Sequence, residues 1–532
     1  MKKTRREFLK QTSVAAAALA VPRRGVLLTT PSSTVSQGID AFKKSVCILA
    51  LDAARGERAS YADVRIVKRH SQYLSVRNSQ RDELNESETY GIGVRALVDG
   101  AWGFASSENV SRQEGRRVAE QAVQQARINS RLNQHPVELA PVDAYPEGVW
   151  QSPIRTDPFS VPVDEKTELL VDANNEALSV ASVRSVFSFM SFLREEKTFA
   201  STDGSIVAQT SYRSWPSMTV TAGSNDSTYR HARSAGDIPP MGLGYEHVLS
   251  ANLFERARGL ADEAVEGLSA TTVEPGEYDL ILDPTNLQFT IHATIGRATE
   301  LDRALSNATS NGASSFLGQP QEVIESLQYG PEFMNVLCDR TQRGGLATVG
   351  WDDEGVPQDS WPIIRDGIFV DYQTTREQVA LIENLTGMSH SHGCSAAQSW
   401  EHMQLQRMPN VSLLPGEDDY VVEDLIAATD HGIYIKGVGS SAVDRLPGAF
   451  QFGGQAFYEV RSGQIVGQLK DVAYRGSTLD FWNSMDMLGG HRSYALGGIV
   501  GDLKGQPEQT HAVSHGCPPA RFHQRAVVNT AS

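Results

Sequence analysis

The spacing of apolar and polar residues predicts alternating helices and strands in the first part of the chain. Residues 39–53 place apolar side chains at helical intervals, whereas residues 61–67 and 73–77 alternate apolar and polar positions as strands do. Residues 91–104 contain two apolar runs around an Asp-Gly pair, a pattern typical of a tight β-hairpin. A serine with a glutamate three residues later begins a helical pattern over 111–129. These elements predict a small sheet packed against helices.

A proline-rich stretch separates this first part from a central segment. Residues 135–165 contain six prolines, so we interpret them as a linker. Beyond it, helical patterns over 165–181 and 253–268 flank strand-like residues 183–193 and 218–222. The central segment is therefore expected to mix helices and strands.

The remaining part of the chain predicts a β-rich domain. Residues 275–283 have a strand pattern and residues 287–302 an amphipathic helical pattern, and residues 330–505 are glycine-rich with short alternating runs. The predicted fold class is α+β: an N-terminal α/β domain with a small sheet, a middle segment, and a large β-rich C-terminal domain that carries the 287–302 helix. The expected divisions are 1–38 (signal and spacer), 39–135 (N-terminal domain), 166–270 (central domain) and 271–532 (C-terminal domain).

Composition narrows the functional classes. The 532 residues include 48 Lys and Arg against 64 Asp and Glu, and this net charge of −16 argues against a surface that binds nucleic acid. The four cysteines lie far apart, so they form neither a disulfide framework nor a paired-cysteine metal motif. No apolar run of about 18 residues or more follows the N-terminal segment, so we expect no membrane span.

The N-terminus predicts an export signal. Residues 1–24 contain seven basic residues and one acidic residue, and the apolar stretch at 13–21 is too short to cross a bilayer. Residues 4–10, Thr-Arg-Arg-Glu-Phe-Leu-Lys, resemble a twin-arginine signal. We therefore expect export to the periplasm or another extracytoplasmic space, with residues 25–38 as a spacer. The alternative is a cytoplasmic protein with a basic, disordered start.

Several motifs that occur in matching order indicate a known family. They are residues 61–65, 91–95, 100–105, 275–279, 352–357, 407–412, 414–416, 432–435 and 448–450. On these motifs the chain resembles the TldD/PmbA family, also known as modulators of DNA gyrase, across nearly its whole mature length.

The resemblance implies a zinc-dependent peptidase that acts on short or unfolded peptides. In that family a helix with the motif His-Glu-x-x-x-His supplies two zinc ligands, a cysteine near the C-terminus supplies a third, and the glutamate is the general base. Family members work as dimers, either of one chain or of a catalytic subunit with a non-catalytic homologue. The resemblance further implies that the dimer encloses a cavity in which a peptide lies extended along a sheet edge.

This chain departs from the family motif at the residues that carry the chemistry. His292 matches the first histidine, but Ala293 replaces the glutamate, Arg297 replaces the second histidine, and Gly501 lies roughly where the cysteine is expected. Alanine cannot act as a base, and arginine can neither lose its proton nor bind a cation. We therefore assign no catalytic residue and favour a non-catalytic, peptide-binding subunit of a family dimer. The family resemblance implies zinc as the cofactor, and the changed motif implies none.

Arg297 has a second interpretation in this context. Its fixed positive charge resembles a replacement for the charge of the metal, and its guanidinium can donate hydrogen bonds to a peptide carbonyl or carboxylate. Glu300 and Asp302, which follow the motif, are retained. Arg297 and Glu300 are therefore the candidate peptide-binding residues.

The tail offers a route to an active enzyme. His515 and Cys517 are zinc-type ligands, so His292, His515 and Cys517 could form a rebuilt zinc site of an active, exported metallopeptidase. The competing interpretation is that residues 511–517 form a proline-flanked turn with solvated histidines. We interpret residues 390–394, His-Ser-His-Gly-Cys, as a peptide-contacting loop, with a metal site as the weaker alternative.

An acidic run gives one further candidate. Asp352, Asp353 and Glu354 precede a glycine and could bind a hard cation. Clustered carboxylates in this setting more often form an exposed turn, which is the structure we expect here.

Overall fold

The computed structural model of the protein describes residues 38–133, 135–224, 229–305, 314–443 and 448–531. The predicted export signal, and all of the predicted spacer except its last residue, lie outside these ranges. The chain from Ile39 onward belongs to one structural unit. Among the described residues, no helix is both long and apolar enough to cross a bilayer.

Strands from the N-terminal and central segments form a single sheet. They are β1 (Tyr61–Arg77), β2 (Gln80–Val98), β3 (Ala101–Ser107), β4 (Gly148–Gln151), β5 (Val183–Ser201), β6 (Ile206–Gly223) and β7 (Arg230–Ser234). In the described residues their order is β3-β2-β1-β5-β6-β4, and β7 also pairs with β6. β4 runs parallel to β6 and the other pairs are antiparallel. The two predicted strands at 61–67 and 73–77 are one continuous strand, β1.

The predicted Asp-Gly hairpin is formed by β2 and β3. Asp99 and Gly100 have φ angles of 47° and 73°. A type I′ turn requires these left-handed values at both central positions, which is why the Asp-Gly pair predicts it.

Helices pack on this sheet in two groups, each with its own apolar core. The first group contains α1 (Ala41–Gly56) and α2 (Arg112–Ser130). The side chain of Ser111 accepts a hydrogen bond from the backbone N–H of Glu114 at 3.2 Å, so the predicted N-terminal cap of α2 is confirmed. The second group contains α3 (Val163–Leu178), α4 (Glu246–Ala251) and α5 (Leu253–Glu266).

The C-terminal part is dominated by strands. They are β8 (Thr271–Thr272), β9 (Gly276–Leu282), β10 (Val336–Asp339), β11 (Ser360–Arg365), β12 (Ile368–Phe369), β13 (Ser395–Ala396), β14 (Leu405–Gln406), β15 (Asn410–Leu413), β16 (His431–Lys436), β17 (Ser441–Val443), β18 (Ala449–Gly453), β19 (Ala456–Arg461), β20 (Gln464–Lys470), β21 (Val472–Ser477), β22 (Met485–Leu488), β23 (Ala495–Lys504), β24 (Gln509–Cys517) and β25 (Ala520–Asn529). The described strands of the largest sheet follow the order β17-β18-β21-β25-β9-β16-β19-β20-β8, and β22 also pairs with β25. A smaller sheet has the order β12-β11-β10-β15, and β23 and β24 form a hairpin.

Short helices complete the C-terminal part. They are α6 (Pro284–Ile291), α7 (Leu301–Ala304), α8 (Pro320–Val323), α9 (Glu383–Thr386), α10 (Val422–Ala427) and α11 (Thr478–Asn483). α6 and the surrounding strands share one large apolar core. The α+β class and the β-rich C-terminal part are confirmed.

The helix predicted at 287–302 is not continuous. α6 ends at Ile291 and a π-helical turn follows at His292–Gly296, after which the chain leaves the helix. Side chains hold this turn, because the hydroxyl of Tyr329 donates to the carbonyl of Thr294 at 2.6 Å and the indole of Trp482 donates to its hydroxyl at 2.9 Å. Residues five apart in an α-helix lie about 140° apart around its axis. The wider turn brings His292 and Arg297 towards the same side.

The acidic run at 352–354 differs from the expected exposed turn. Asp352, Asp353 and Glu354 are only 4%, 2% and 2% exposed. Asp353 and Glu354 face basic side chains of the N-terminal sheet across the junction with the C-terminal part, whereas Asp352 accepts hydrogen bonds from backbone N–H groups of the C-terminal part. We call the paired residues the junction cluster: Asp63, Arg65, Arg95, Lys197, Asp353 and Glu354.

The tail histidines also differ from the expected solvated turn. Residues 509–517 form strand β24, and its pairing with β23 aligns Ala495 with Cys517. His515 is fully buried in this strand. The prolines that follow, which suggested a turn, lie beyond the end of the strand.

Candidate functional site

His292 lies at the C-terminal end of α6, where Asp283 caps the helix and Pro284 occupies its first position. The imidazole is 2% exposed. Its Nδ1 lies 3.0 Å from Nε2 of His515, and its Nε2 lies 3.5 Å from Oδ1 of Asp502. The structure therefore brings His292 and His515 together, as the rebuilt-site hypothesis requires, and adds Asp502.

The hydrogen bonds fix the tautomers of both histidines. Nδ1 of His515 donates to the carbonyl of Val411 at 2.9 Å, so its Nε2 accepts from Nδ1–H of His292. Burial lowers the pKa of His515 to about 3. Burial also lowers the pKa of His292, and it outweighs the opposing effect of Asp502. His515 is therefore neutral at neutral pH.

Asp502 is the centre of the charged groups around His292. Arg297 donates to its Oδ1 at 3.0 Å through Nη2, and Arg407 donates to its Oδ2 at 3.2 Å. Asp502 is fully buried, and burial alone would raise its pKa, but His292, Arg407 and Arg297 lower it well below the ordinary value. We call these four residues the Asp502 cluster.

Sequence reasoning missed Asp502. Asp502 directly follows Gly501, the position at which the family cysteine is expected. A Cβ atom placed on Gly501 would meet no other atom within 4 Å among the described residues. The sequence contained one indication that such a residue is present, the charge of Arg297, since a cation on a buried helix requires a nearby anion.

The residues present do not fit a zinc ion. Zinc needs three deprotonated donors, but Nδ1 of His292 is bonded to His515, and Asp502 is bonded to two guanidinium groups. The thiol of Cys517 points to the carbonyl of Pro284 at 3.7 Å, and burial raises its pKa. Within the described ranges, no group of three or more His, Cys, Asp and Glu side chains is arranged to bind a metal.

Ala293 and Glu300 both contact other residues of the C-terminal part. Ala293 packs against the C-terminal apolar core. Glu300 is fully buried, and its carboxylate accepts from Lys504 at 2.9 Å and from Arg303. Lys504 and Arg303 lower its pKa against the effect of burial. Its carboxylate therefore lies within a network of ion pairs, away from any solvent-facing surface.

A cavity of about 350 Å³ lies between the N-terminal sheet and loops of the C-terminal part. Strands β1, β5 and β6 form one wall, and residues 393–398, 407–409 and the β23–β24 hairpin contribute to the other. Arg407 lines this cavity and also binds Asp502. The Asp502 cluster is thus connected to the cavity through one side chain.

The 390–394 loop has two environments. Gly393 and Cys394 line the cavity, in keeping with the predicted peptide contact, which stays a prediction. His392 instead lies between Asp359 and Asp371, each 2.9 Å from a ring nitrogen, and stacks on Trp361. Burial opposes the charge on His392, but the two carboxylates raise its pKa.

Comparison with known proteins assigns all three parts of the chain to one family. Residues 62–126 match the PmbA/TldA metallopeptidase domain 1, residues 156–270 its central domain and residues 275–528 its C-terminal domain.

Individual relatives agree with these matches. A metalloprotease of Methanocaldococcus jannaschii is 27% identical over 81% of this chain and 90% of its own length. A zinc metalloprotease TldD homolog of Saccharolobus solfataricus is 24% identical over 86% of this chain and 94% of its own. The crystal structure of TldE from Thermococcus kodakarensis superposes with a TM-score of 0.66 at 14% identity, covering 90% of this chain and 98% of the other. This last similarity concerns the fold.

Proposed function

Because the chain belongs to the PmbA/TldD metallopeptidase family, we propose that it is a non-catalytic member that binds short or unfolded peptides without hydrolysing them. The single observation that carries the proposal is the Asp502 cluster. Arg297, at the position of the second family histidine, donates to Asp502, which follows the position of the family cysteine. A guanidinium thus supplies positive charge where the family motif implies a zinc ion.

The absence of a suitable base supports the same proposal. Ala293 stands at the position of the family glutamate and offers no group that accepts a proton. Nδ1 of His292 donates to His515 and its Nε2 faces the carboxylate of Asp502, so neither ring nitrogen is available as a base for a substrate. The ring nitrogens of His292 and the carboxylate of Asp502 are therefore engaged within the protein.

The proposed ligand follows from the cavity and from the family. A volume of about 350 Å³ suits a few residues of a peptide. As the family resemblance implies, we propose that the peptide lies extended along a sheet edge and that the protein acts as a dimer, either with itself or with a TldD/PmbA homologue.

The alternative is an active zinc metallopeptidase with a rebuilt site. It is favoured by one contact, the 3.0 Å approach of His292 to His515. The two functions differ in metal content, so we would measure zinc in the purified protein by elemental mass spectrometry after removing loosely bound metal. We expect far less than one zinc per chain and no cleavage of unfolded peptides. About one zinc per chain, together with cleavage, would contradict the proposal.

A restored motif provides the complementary experiment. Ala293→Glu, Arg297→His and Gly501→Cys together should create zinc binding, because they restore the base, the second imidazole and the thiolate that the family motif implies. Ala293→Glu alone is the matched control, since it adds the base without the second imidazole or the thiolate and should bind no zinc. If the triple variant binds no zinc, these three losses do not account for the changed site.

The sequence of residues 1–24 supports a proposal on the cellular location of the protein. We propose export through the twin-arginine route, with delivery to the periplasm or another extracytoplasmic space. Replacing both Arg5 and Arg6 with Lys should retain the protein in the cytoplasm, because such a signal depends on the arginine pair. Replacing Lys2 and Lys3 with Arg, which keeps the charge, should leave export unchanged. Unchanged export after loss of the arginine pair would contradict this route.

A further inference from the structure

The cavity differs from the rest of the protein in its charge. Five basic side chains line it: Arg69, Lys197, Arg213, Arg340 and Arg407. Three carboxylates line it as well, those of Glu195, Asp352 and Asp353. The wall is therefore positive, although the chain as a whole has a net charge of −16. Low-dielectric walls focus such a field, so the cavity attracts anions.

Glu195 and Asp353 are paired with basic side chains, and the third carboxylate, that of Asp352, accepts hydrogen bonds from backbone N–H groups. Glu195 lies 3.4 Å from Nζ of Lys197 and 3.4 Å from Nε of Arg69. Asp353 accepts from Lys197 at 2.7 Å and from Arg65 at 3.2 Å. Neither carboxylate makes a hydrogen bond to Arg213 or Arg340 among the described residues.

Three of the arginines retain free hydrogen-bonding capacity. Nε of Arg213, Nη2 of Arg340, and Nε and Nη1 of Arg407 donate to no acceptor in the described part of the chain. Arg340 and Arg407 are only 2% and 3% exposed. A buried donor without a partner is destabilising, and an anionic ligand that supplies acceptors would remove that penalty.

The wall also contains an aromatic surface. Tyr73, Phe189 and Trp215 lie side by side on β1, β5 and β6, with ring centroids 5.7 Å and 4.9 Å apart. Such a surface binds an apolar side chain. A ligand that matches the cavity therefore carries both an apolar group and an anionic group.

We propose that this cavity binds the carboxylate of a peptide, with the carboxylate at Arg213, Arg340 and Arg407 and the neighbouring apolar side chain on Tyr73, Phe189 and Trp215. The proposal rests on the proposed function and specifies the ligand chemistry of that function. The carboxylate has two possible sources, a free C-terminus or an acidic side chain.

Four probes separate these sources, and calorimetry of the full chain measures each Kd. The probes are a short peptide ending in leucine with a free C-terminus, the same peptide amidated, an amidated peptide with an internal glutamate, and N-acetyl-leucine. We expect the amidated peptide to bind about tenfold more weakly than the free acid. If the internal glutamate restores binding, a side chain also supplies the carboxylate.

One arginine allows a matched pair of variants. Arg213→Gln should weaken binding of the free acid about tenfold and leave binding of the amide nearly unchanged. Arg213→Lys, which keeps the charge, should retain most of the affinity. The control is Arg81→Gln, which removes an exposed arginine of β2 outside the cavity. Thermal unfolding checks that each variant folds.

The outcomes distinguish this proposal from the proposed function. Equal affinity for free acid and amide, with hydrolysis absent, would overturn the carboxylate site and leave peptide binding intact. Binding of N-acetyl-leucine that depends on Arg213, without binding of any peptide, would support the site and overturn peptide binding. If no probe binds, the carboxylate site is wrong.

Discussion

The junction cluster and the Asp502 cluster are both largely buried, but they differ in the balance of their charges. The junction cluster has three cations and three carboxylates, joined by contacts of 2.7–3.2 Å between the N-terminal sheet and the 352–354 turn. The Asp502 cluster has two guanidinium groups and one carboxylate, and it reaches the cavity through Arg407. The first cluster is neutral, whereas the second has an excess positive charge.

This difference in charge balance distinguishes a cluster that stabilises the fold from a cluster that we propose to take part in ligand binding. A buried ion pair contributes little net stability, but removing one partner is strongly destabilising. The balanced junction cluster therefore fixes how the two parts of the chain pack and requires nothing from solution. The unbalanced Asp502 cluster, next to a cavity with free donors, is completed by an anion from outside.

Breaking the junction cluster should have the largest effect on stability. Asp353→Asn removes the counter-charge of Arg65 and Lys197, which lie 3.2 Å and 2.7 Å away. We expect the free energy of unfolding to fall by about 3–5 kcal/mol, because Arg65 remains buried without a carboxylate partner and Lys197 keeps only Glu195, at 3.4 Å. Urea unfolding followed by circular dichroism measures this loss.

An exposed ion pair of the same sheet provides the control. Glu88 lies 3.0 Å from Lys68, and its side chain is 51% exposed. Glu88→Gln should change stability far less than Asp353→Asn, since water replaces the lost contact. If both variants lose the same stability, the junction cluster is not what fixes this interface.

The same substitution in the Asp502 cluster should have a smaller and different effect. Asp502→Asn leaves Arg407 bonded to the backbone carbonyl of residue 502, and Arg297, whose side chain is 35% exposed, can turn to water. We expect a loss of about 2 kcal/mol. The affinity for a carboxylate ligand should rise severalfold, because Arg407 loses its counter-charge.

Measuring unfolding and ligand affinity on Asp353→Asn and Asp502→Asn tests the comparison directly. The proposal requires that stability fall most in the first variant and that affinity rise in the second. A stability loss for Asp502→Asn as large as that for Asp353→Asn, with unchanged affinity, would show that both clusters are structural.

Local patterns predicted the local structure. The hairpin at Asp99-Gly100 and the cap at Ser111 depend on neighbouring residues, so the sequence contains all the information they need. Pairing of β1 with β5 joins residues far apart in the chain, and alternation of side chains does not specify a partner strand. The pattern of residues could therefore not predict that strands of the N-terminal and central segments form one sheet.

The candidate site could be predicted from the sequence only in part, because some of its contacts also come from distant residues. The motif comparison identified His292, Ala293 and Arg297, and the structure adds Asp502 as the partner of Arg297. The π-helical turn was not predicted, because it depends on Tyr329 and Trp482 from other elements. The burial of Asp353 and Glu354 depends in the same way on Arg65, Arg95 and Lys197 across the junction.

The smallest expected effect concerns pH and a residue that borders both regions. Asp352 lines the cavity beside Asp353 of the junction cluster. Burial and Glu354 raise the pKa of Asp352 to about 7, although Arg340 lowers it. Glu195 and Asp353, whose pKa values are lowered, stay charged near this pH, and His511, whose pKa is lowered to about 3, stays neutral.

Asp352 should therefore control how pH affects ligand binding. It is mostly neutral at pH 6 and mostly charged at pH 8, so the cavity gains a negative charge as pH rises. We expect the affinity for the free-acid peptide to fall about threefold between these values, and calorimetry at both pH values measures the change. Asp352→Asn should remove this dependence, while binding of the amidated peptide should not vary with pH in either protein. If the wild-type affinity rises with pH, the ligand is not an anion, since a charged Asp352 would then attract it.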